Sequence, residues 1–398
     1  MIDIYLNKSL IASFSQDDKS YLIDYKDFDL KNSIALSLPN SKRFYTYEYR
    51  FPPYFEMFVP EGYLYEIFKN ILTKEYGYID DYLIFSKLAS NINNRVSFKS
   101  TFEKLDFDVM SVEEILTRDT QDTFTILLEM FLNKNAISGV QPKTVALLRE
   151  KETLHIKEYI IKTWGEEYPH LAENEYFCLK ALEYAGIKTA NVQLSENKKF
   201  LVVENFIFDS DKILGFEEVL SLMDKNRTNK YDGSYEQIAK VIYQFSTYKK
   251  ESLHAFYQVV VMNYLLKNGD AHLKNFGLLF ERDFSEVWFS PAYDVVNTTA
   301  YLYKDKPALM MNGKKVWFSQ EELCKFGVQS CLLSKKEALS IYEVCIEALK
   351  KTLEDIEVYM QTNPDFQVIG KRMCDSFKVS LEEKTIKELP DELTRSWQ

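Results

Sequence analysis

The chain lacks a cysteine pair at CxxC spacing, two histidines at i, i+4, a surplus of positive charge, and any apolar run near the ~20 residues of a membrane span. Each absence removes a class of protein. Cys178, Cys324, Cys331, Cys345 and Cys374 are an odd number at spacings that fit no disulfide framework, so they read as reduced, mostly buried thiols. His155, His170, His254 and His272 are scattered, which argues against zinc. A net charge of -11 argues against a direct grip on DNA or an anionic membrane, leaving room only for a local basic cleft. The opening Met1-Ile-Asp-Ile-Tyr-Leu-Asn has neither the basic nor the apolar region of a secretory signal, so a cytoplasmic location is expected. Two phosphate-binding signatures, GxxxxGKS/T and GxGxxG, are missing as well, and so are internal repeats, low-complexity stretches and long linkers.

What is there is globular in composition: 398 residues, 46% hydrophobic and 27% charged, enough for more than one domain. The first fifty residues hold short β-prone pieces, Ile2 to Leu6, Ser20 to Tyr25 and Ile34 to Leu38, and read as a small sheet. A Pro-rich aromatic segment, 51–62, then enters a helix from Tyr63 to about Lys74, and a second helix is expected from Asp80 to about Asn91. A soft boundary falls in the polar segment 93–101. Helical periodicity covers Val112 to Leu132, and Ala136-Ile-Ser-Gly-Val-Gln-Pro-Lys follows as a one-glycine turn leading into an apolar run. Such a turn can cover phosphates through backbone N–H groups and a cation, but a plain hairpin is the simpler reading.

A strand from Glu158 ends on Lys162, and the helix from about Leu171 to Tyr184 is closed by Gly186. On that helix Glu175 lies at i, i+4 and i+7 with Leu179 and Leu182, so it shares the apolar face and needs a partner. Lys162 is the candidate, unless Glu175 sits at the edge of the stripe in water. Thr189 to Leu194 and Phe200 to Phe208 read as antiparallel strands, and the remainder as mainly helical, including Gly215 to Met223, Ser234 to Tyr248, Ser252 to Leu266 and several helices from about Glu321. The last residues, Thr394 to Gln398, are expected to fray.

The chain's chemistry concentrates in Asn268-Gly-Asp-Ala-His-Leu-Lys-Asn, set between an apolar helix and a strand-like Phe276 to Phe280. Asp270 and Asn275 lie five positions apart, which suits a carboxylate that orients a hydroxyl and a carboxamide that ligates Mg²⁺. On spacing alone a polar helix-to-strand turn fits equally well. A β-prone run then reaches Asp294, nineteen positions beyond Asn275 (294 − 275). The order of turn, strand lysine, helix glutamate, paired strands, aspartate, asparagine and second aspartate is that of a kinase.

Taken together, Ser138-Gly-Val-Gln-Pro-Lys, Asn174-Glu175, Asn268-Gly-Asp-Ala-His-Leu-Lys-Asn, Tyr293-Asp-Val-Val, Leu36-Ser-Leu-Pro and Tyr54-Phe-Glu-Met-Phe-Val-Pro-Glu-Gly resemble the HipA-like Ser/Thr kinases of bacterial toxin–antitoxin systems. The resemblance spans nearly the whole chain. It implies an α+β, bilobal protein-kinase-like fold. Residues 1–100 would be an N-terminal β-rich subdomain, 101–208 a kinase N-lobe and 209–398 a mainly helical C-lobe. Asp270 would be the general base, with Lys274 neutralising charge on the transferring phosphoryl group, and Asn275 with Asp294 would hold Mg²⁺. ATP would be bound by Lys162, paired with Glu175, under a loop of Ser138, Gly139, Val140, Gln141 and Lys143. Glu204 to Phe206 would take the hinge position, and His272 would orient the catalytic loop.

The family silences itself by autophosphorylation of a serine in the phosphate loop. Here the loop reads Ala136-Ile-Ser138-Gly139, without the first serine of the usual pattern, so Ser138 is the candidate. Asn205 also stands where the family often has arginine. The resemblance implies a protein substrate of the aminoacyl-tRNA synthetase class, a helix-turn-helix antitoxin partner, and DNA contact only through that antitoxin. Two other readings compete: a small-molecule kinase of the aminoglycoside or choline phosphotransferase type, and a catalytically silent scaffold for an antitoxin.

Overall fold

The computed structural model describes residues 1–92, 94–101, 111–118, 120, 123, 126–127, 152–156, 159–163, 167–209 and 212–382. The phosphate-loop candidate 138–143, most of the expected helix 112–132, the start of the strand expected at Glu158 and the expected C-terminal fray lie outside the described residues. The chain divides into two compact units, Met1–Glu167 with Gln193–Asn229 and Leu279–Val287, and Tyr168–Val192 with Lys230–Leu278 and Trp288–Gln398.

In the first unit, β1 (Ile2–Leu6), β2 (Ser9–Asp17), β3 (Ser20–Tyr25), β4 (Phe44–Glu48) and β5 (Ser97–Lys99) form one antiparallel sheet in the order β4-β3-β2-β1-β5. The β1–β2 turn places both Asn7 and Lys8 at positive φ, 51° and 69°, the handedness that matches the twist of a tight hairpin. Burial alternates along β1 and β3, as a sheet with one covered face requires. The cover is aromatic: Phe14 stacks on Phe55 with ring centroids 4.3 Å apart and meets Phe51, Tyr82 and Phe85. The helices Gly62–Tyr76 and Asp81–Leu88 follow, the second capped by the Asp80 carboxylate accepting from Leu83 N–H. β5 lies inside the polar segment 93–101, so that segment continues the sheet.

Ile34 to Leu38 is buried but is not a strand. Its backbone groups are taken by side chains instead of a ladder. Ile34 N–H donates to the Tyr25 hydroxyl at 2.8 Å, Ser37 N–H donates to Glu217 at 3.1 Å, and the Arg95 guanidinium binds the carbonyls of Ser33 and Ile34. Once those groups are satisfied, a β-prone run has no need of a strand partner. A second four-stranded sheet has the order β6 (Glu152–Ile156), β7 (Tyr159–Thr163), β9 (Phe200–Glu204), β8 (Val192–Leu194), with Lys162 opposite Leu201. Gly215 to Met223, expected as one helix, splits into a strand, Gly215–Glu218, and a single helical turn, Val219–Leu222. Gly215 lets the strand pass against the Phe280 ring, where a Cβ would overlap the aromatic carbons.

The second unit is built around the helix Lys249–Leu265, buried on nearly every face, with Phe256, Tyr257, Val260, Val261 and Met262 at 0% exposure. Helices Leu171–Tyr184, Tyr235–Phe245, Gln320–Ser330, Lys335–Thr362 and Gln367–Leu381 pack against it. Ser234, Ser319 and Ser334 cap three of these helices, each paired with a Gln or Glu three residues on. All five cysteines are buried, and none forms a disulfide.

Candidate active site

The central helix stops at Leu266, and Lys267 turns the chain at φ 53°. From there every backbone group of the 268–275 segment that matters is anchored. Asn268 bonds twice to Asn263, from its N–H to the carbonyl at 2.9 Å and from Nδ2 to Oδ1 at 2.8 Å. Its own Oδ1 accepts from Asp270 N–H at 3.1 Å. Gly269 N–H donates to the Thr298 hydroxyl at 2.8 Å, and a methyl at position 269 would overlap the Asp305 carboxylate and that same hydroxyl. This glycine is needed for close approach, not for an unusual φ. Ala271 and Leu273 are fully buried and fasten the loop's apolar side.

Beyond Asp270 the loop closes into a short 3₁₀ turn, Leu273–Asn275. His272 N–H donates to Asn275 Oδ1 at 2.8 Å, and Asn275 Nδ2 donates to Asp294 Oδ2 at 2.9 Å. Asp294 itself sits at φ 58°, a left-handed conformation that aspartate tolerates better than most residues. Tyr293 fixes the neighbouring backbone by donating from its hydroxyl to the Lys274 carbonyl at 2.6 Å. Asp270, His272, Lys274, Asn275 and Asp294 thereby lie in one unit; Asn275 and Asp294 meet side chain to side chain, and the His272 N–H links the Asp270 carbonyl to Asn275 Oδ1. Glu175 is also in that unit, fully buried on the helix Leu171–Tyr184. Lys162, buried on β7, belongs to the other unit, as do Glu204 at the end of β9 and Phe206, whose ring meets Phe216 edge-on at 5.3 Å.

The His272 ring is buried, and that burial pushes its pKa down to about 4, with the Asp270 carboxylate opposing the shift. The imidazole is neutral at physiological pH. The backbone of His272, through its bond to Asn275, does the orienting. Because the folded pKa lies below the ordinary 6.5, the unfolded chain takes up the proton first as pH falls. The contribution is complete above pH 6.5 and is lost on acidification toward 4, by roughly 2 to 3 kcal/mol. His272→Gln should therefore flatten the loss of stability between pH 7 and 4.5. Urea midpoints at the two pH values check this, and equal slopes in variant and wild type would exclude it.

Several members of the site left no mark in the sequence pattern. Tyr231 donates from its hydroxyl to Asp270 Oδ1 at 2.9 Å, from a turn that carries no periodicity. Asn297 is fully buried three residues past Asp294. Its N–H donates to Asn174 Oδ1 at 2.7 Å, and its Nδ2 reaches the Leu266 carbonyl at 2.6 Å. Lys267 is buried with its ammonium 5.0 Å from the Trp317 ring centre, and burial lowers its pKa to about 8. A polar residue next to a motif is the only sequence signal any of these offers.

Set beside known proteins, residues 2–90 match the family model described as the HipA N-terminal domain, and residues 135–353 match the HipA-like C-terminal domain. A Haemophilus influenzae protein provisionally named a kinase is 29% identical over 184 residues, covering 42% of this chain and 53% of that protein. A Sinorhizobium fredii protein with a provisional name of kinase Y4dM is 24% identical over 251 residues, covering 55% of this chain and 60% of its own. The chain thus spans little more than half the length of these relatives. Among solved structures, the Shewanella oneidensis HipA toxin–antitoxin complex with HipB and operator DNA matches with a TM-score of 0.69 at 14% identity. That match covers 98% of this chain and 99% of the other.

Proposed function

The chain belongs to the HipA family, and on that premise we propose that it is an ATP- and Mg²⁺-dependent serine/threonine protein kinase. The observation that carries the reading is the Asn275–Asp294 side-chain bond at 2.9 Å, tied to the Asp270 loop by the His272 N–H, which bonds both the Asp270 carbonyl and Asn275 Oδ1. This joins a loop that carries the proposed carboxylate base and a carboxamide to a second carboxylate, Asp294. Phosphoryl transfer asks the protein mainly for positioning and charge stabilisation, which this set supplies.

The donor set fits Mg²⁺. That ion takes one or two carboxylates, keeps several waters and completes its shell with phosphate oxygens. Asp294 offers the carboxylate, and Asn275, held beside it by its Nδ2 donating to Asp294 at 2.9 Å, would offer Oδ1, which also accepts from His272 N–H. When bound, Mg²⁺ would offset charge on the phosphate oxygens. In this reading Asp270 accepts the proton of the acceptor hydroxyl as the new O–P bond forms, and Lys274 stabilises the transferring group. Lys162 and the Ser138 to Lys143 loop would hold the triphosphate. Glu204 and Phe206 flank the adenine. The carbonyl of His272 accepts from Asn275 N–H at 2.9 Å and keeps the metal ligand in register.

The substrate would be a protein of the translation apparatus, an aminoacyl-tRNA synthetase being the class the family suggests. A HipB-like antitoxin would restrain the enzyme, and Ser138 would be the site of self-modification. Incubation of the purified chain with ATP, Mg²⁺ and cell extract, followed by phosphopeptide mapping, tests this. New phosphate on serine or threonine of extract proteins is expected. Phosphate found only on an aminoglycoside or choline would favour a small-molecule kinase. No transfer together with no Mg–ATP thermal shift would favour a silent scaffold.

A further inference from the structure

We propose that Tyr231 is a positioning residue for the general base. Its phenol holds one oxygen of the Asp270 carboxylate, leaving the other to take the proton of the acceptor hydroxyl. The inference rests on the kinase reading above, with Asp270 as base.

The Tyr231 hydroxyl donates to Asp270 Oδ1 at 2.9 Å, and among the described residues no other side chain hydrogen-bonds that carboxylate. A carboxylate held by nothing rotates about its Cβ–Cγ bond and exchanges its two oxygens, so the lone pair aimed at a substrate would vary. One charge-assisted bond to Oδ1 removes that freedom and fixes Oδ2. The phenol is itself well fixed. Its ring meets the His272 ring edge-on at 5.3 Å, Lys315 Nζ donates to the Tyr231 carbonyl at 3.1 Å, and Leu273 N–H donates to the Lys230 carbonyl at 3.1 Å. The turn carrying Tyr231 is therefore bonded to the loop carrying Asp270 at the base itself and at Leu273, three residues on.

The proton bookkeeping is consistent with a positioning role. In this pair the phenol O–H is the donor and the carboxylate, which carries no proton of its own to give, is the acceptor. The proton released as the acceptor O–H bond breaks goes to Asp270 Oδ2, the O–P bond forms, and ADP leaves. Tyr231 donates throughout and is neither consumed nor charged. Its ring is 41% exposed, so the position is open to an incoming protein chain.

Tyr231→Phe deletes the hydroxyl and keeps the ring on His272. We expect kcat to fall about 10-fold, with KM for ATP and the melting temperature unchanged. The acid limb of the kcat–pH profile should move to higher pH, because a hydrogen bond that favours the ionised base is gone. Tyr231→Leu, which also removes the ring, should fall at least as far. Asp270→Asn is assayed in parallel. If it retains wild-type transfer, the kinase reading with Asp270 as base fails. If it is inactive while Tyr231→Phe keeps both wild-type kcat and an unmoved acid limb, only the positioning role fails. A raised kcat in Tyr231→Phe would make the phenol an occupant that blocks the base. Phosphate found on Tyr231 of the wild type would make it an acceptor. Either result overturns the proposal.

Discussion

Asp270→Asn is expected to lower phosphoryl transfer about 10³-fold, within the range for loss of a general base, while Mg–ATP still raises the melting temperature. The substitution is nearly isosteric. The Asp270 N–H to Asn268 bond at 3.1 Å and the His272 N–H to Asp270 carbonyl bond at 2.8 Å both use the backbone and survive it. What is lost is an oxygen able to take a proton in the transition state. The proposed binding groups, Asn275 five positions further along the same loop, Asp294 and Lys162, keep their side chains. Single-turnover transfer to a protein acceptor, measured beside a thermal shift with Mg–ATP, separates the two effects. Near wild-type transfer would remove Asp270 from the base role. Loss of both readouts would place it in nucleotide binding.

Asn297→Ala should destabilise the protein by about 3 kcal/mol, a large effect for one small side chain. Asn297 is fully buried, and its Nδ2 is shared among the Leu266 carbonyl at 2.6 Å, the Thr299 hydroxyl at 3.0 Å and the Ser376 hydroxyl at 3.0 Å. Its main-chain carbonyl accepts from Asn174 Nδ2 at 3.0 Å, a bond the substitution keeps, while its Oδ1 is buried with no hydrogen-bond partner among the described residues. One side chain therefore ties the end of the central helix, where the catalytic loop begins, to the segment after Asp294 and to the helix Gln367–Leu381. Truncation to alanine leaves buried acceptors without a donor, and that penalty exceeds the worth of the bonds in water. A melting temperature lowered by about 6 to 12 °C is expected, read by calorimetry. A shift under 1 °C would mean that the neighbouring hydroxyls or a water replace the amide. Ser376 and Thr299 already bond each other at 2.7 Å, so coupling between Asn297→Ala and Ser376→Ala should be non-additive.

Much of the fold was legible because its elements carry strong local signals. The helix Leu171–Tyr184 was bounded to the residue by an apolar stripe and a closing glycine, Gly186, which sits at φ 72°. Glu175 was placed on the buried face by the same periodicity, and it is fully buried. The catalytic segment stood out because Asp270, His272, Lys274 and Asn275 interrupt a long apolar run. The failures have a common cause. Ile34 to Leu38 has the composition of a strand, but Tyr25, Arg95 and Glu217, far apart in sequence, consume its backbone groups. Gly215–Glu218 scored as helix because its extended form depends on Phe280, sixty-five positions later (280 − 215).

The sequence by itself therefore determined what depends on neighbours within a turn or two: the type of most elements, the buried face of the helix that carries Glu175, and the order in which the polar groups of a kinase-like loop occur. The resemblance to the HipA family rests on the specific motifs that hold those groups, and membership on the match of residues 2–90 and 135–353. Tertiary structure alone decided which polar groups meet. The Tyr231 phenol on Asp270, the Asn275 amide on Asp294 and the Asn174–Asn297 pair join residues 39, 19 and 123 positions apart. Hydrogen bonds of this kind have no sequence period. Their energy depends on a few tenths of an ångström and on exclusion of water, and both are set only when the packed core fixes the distance.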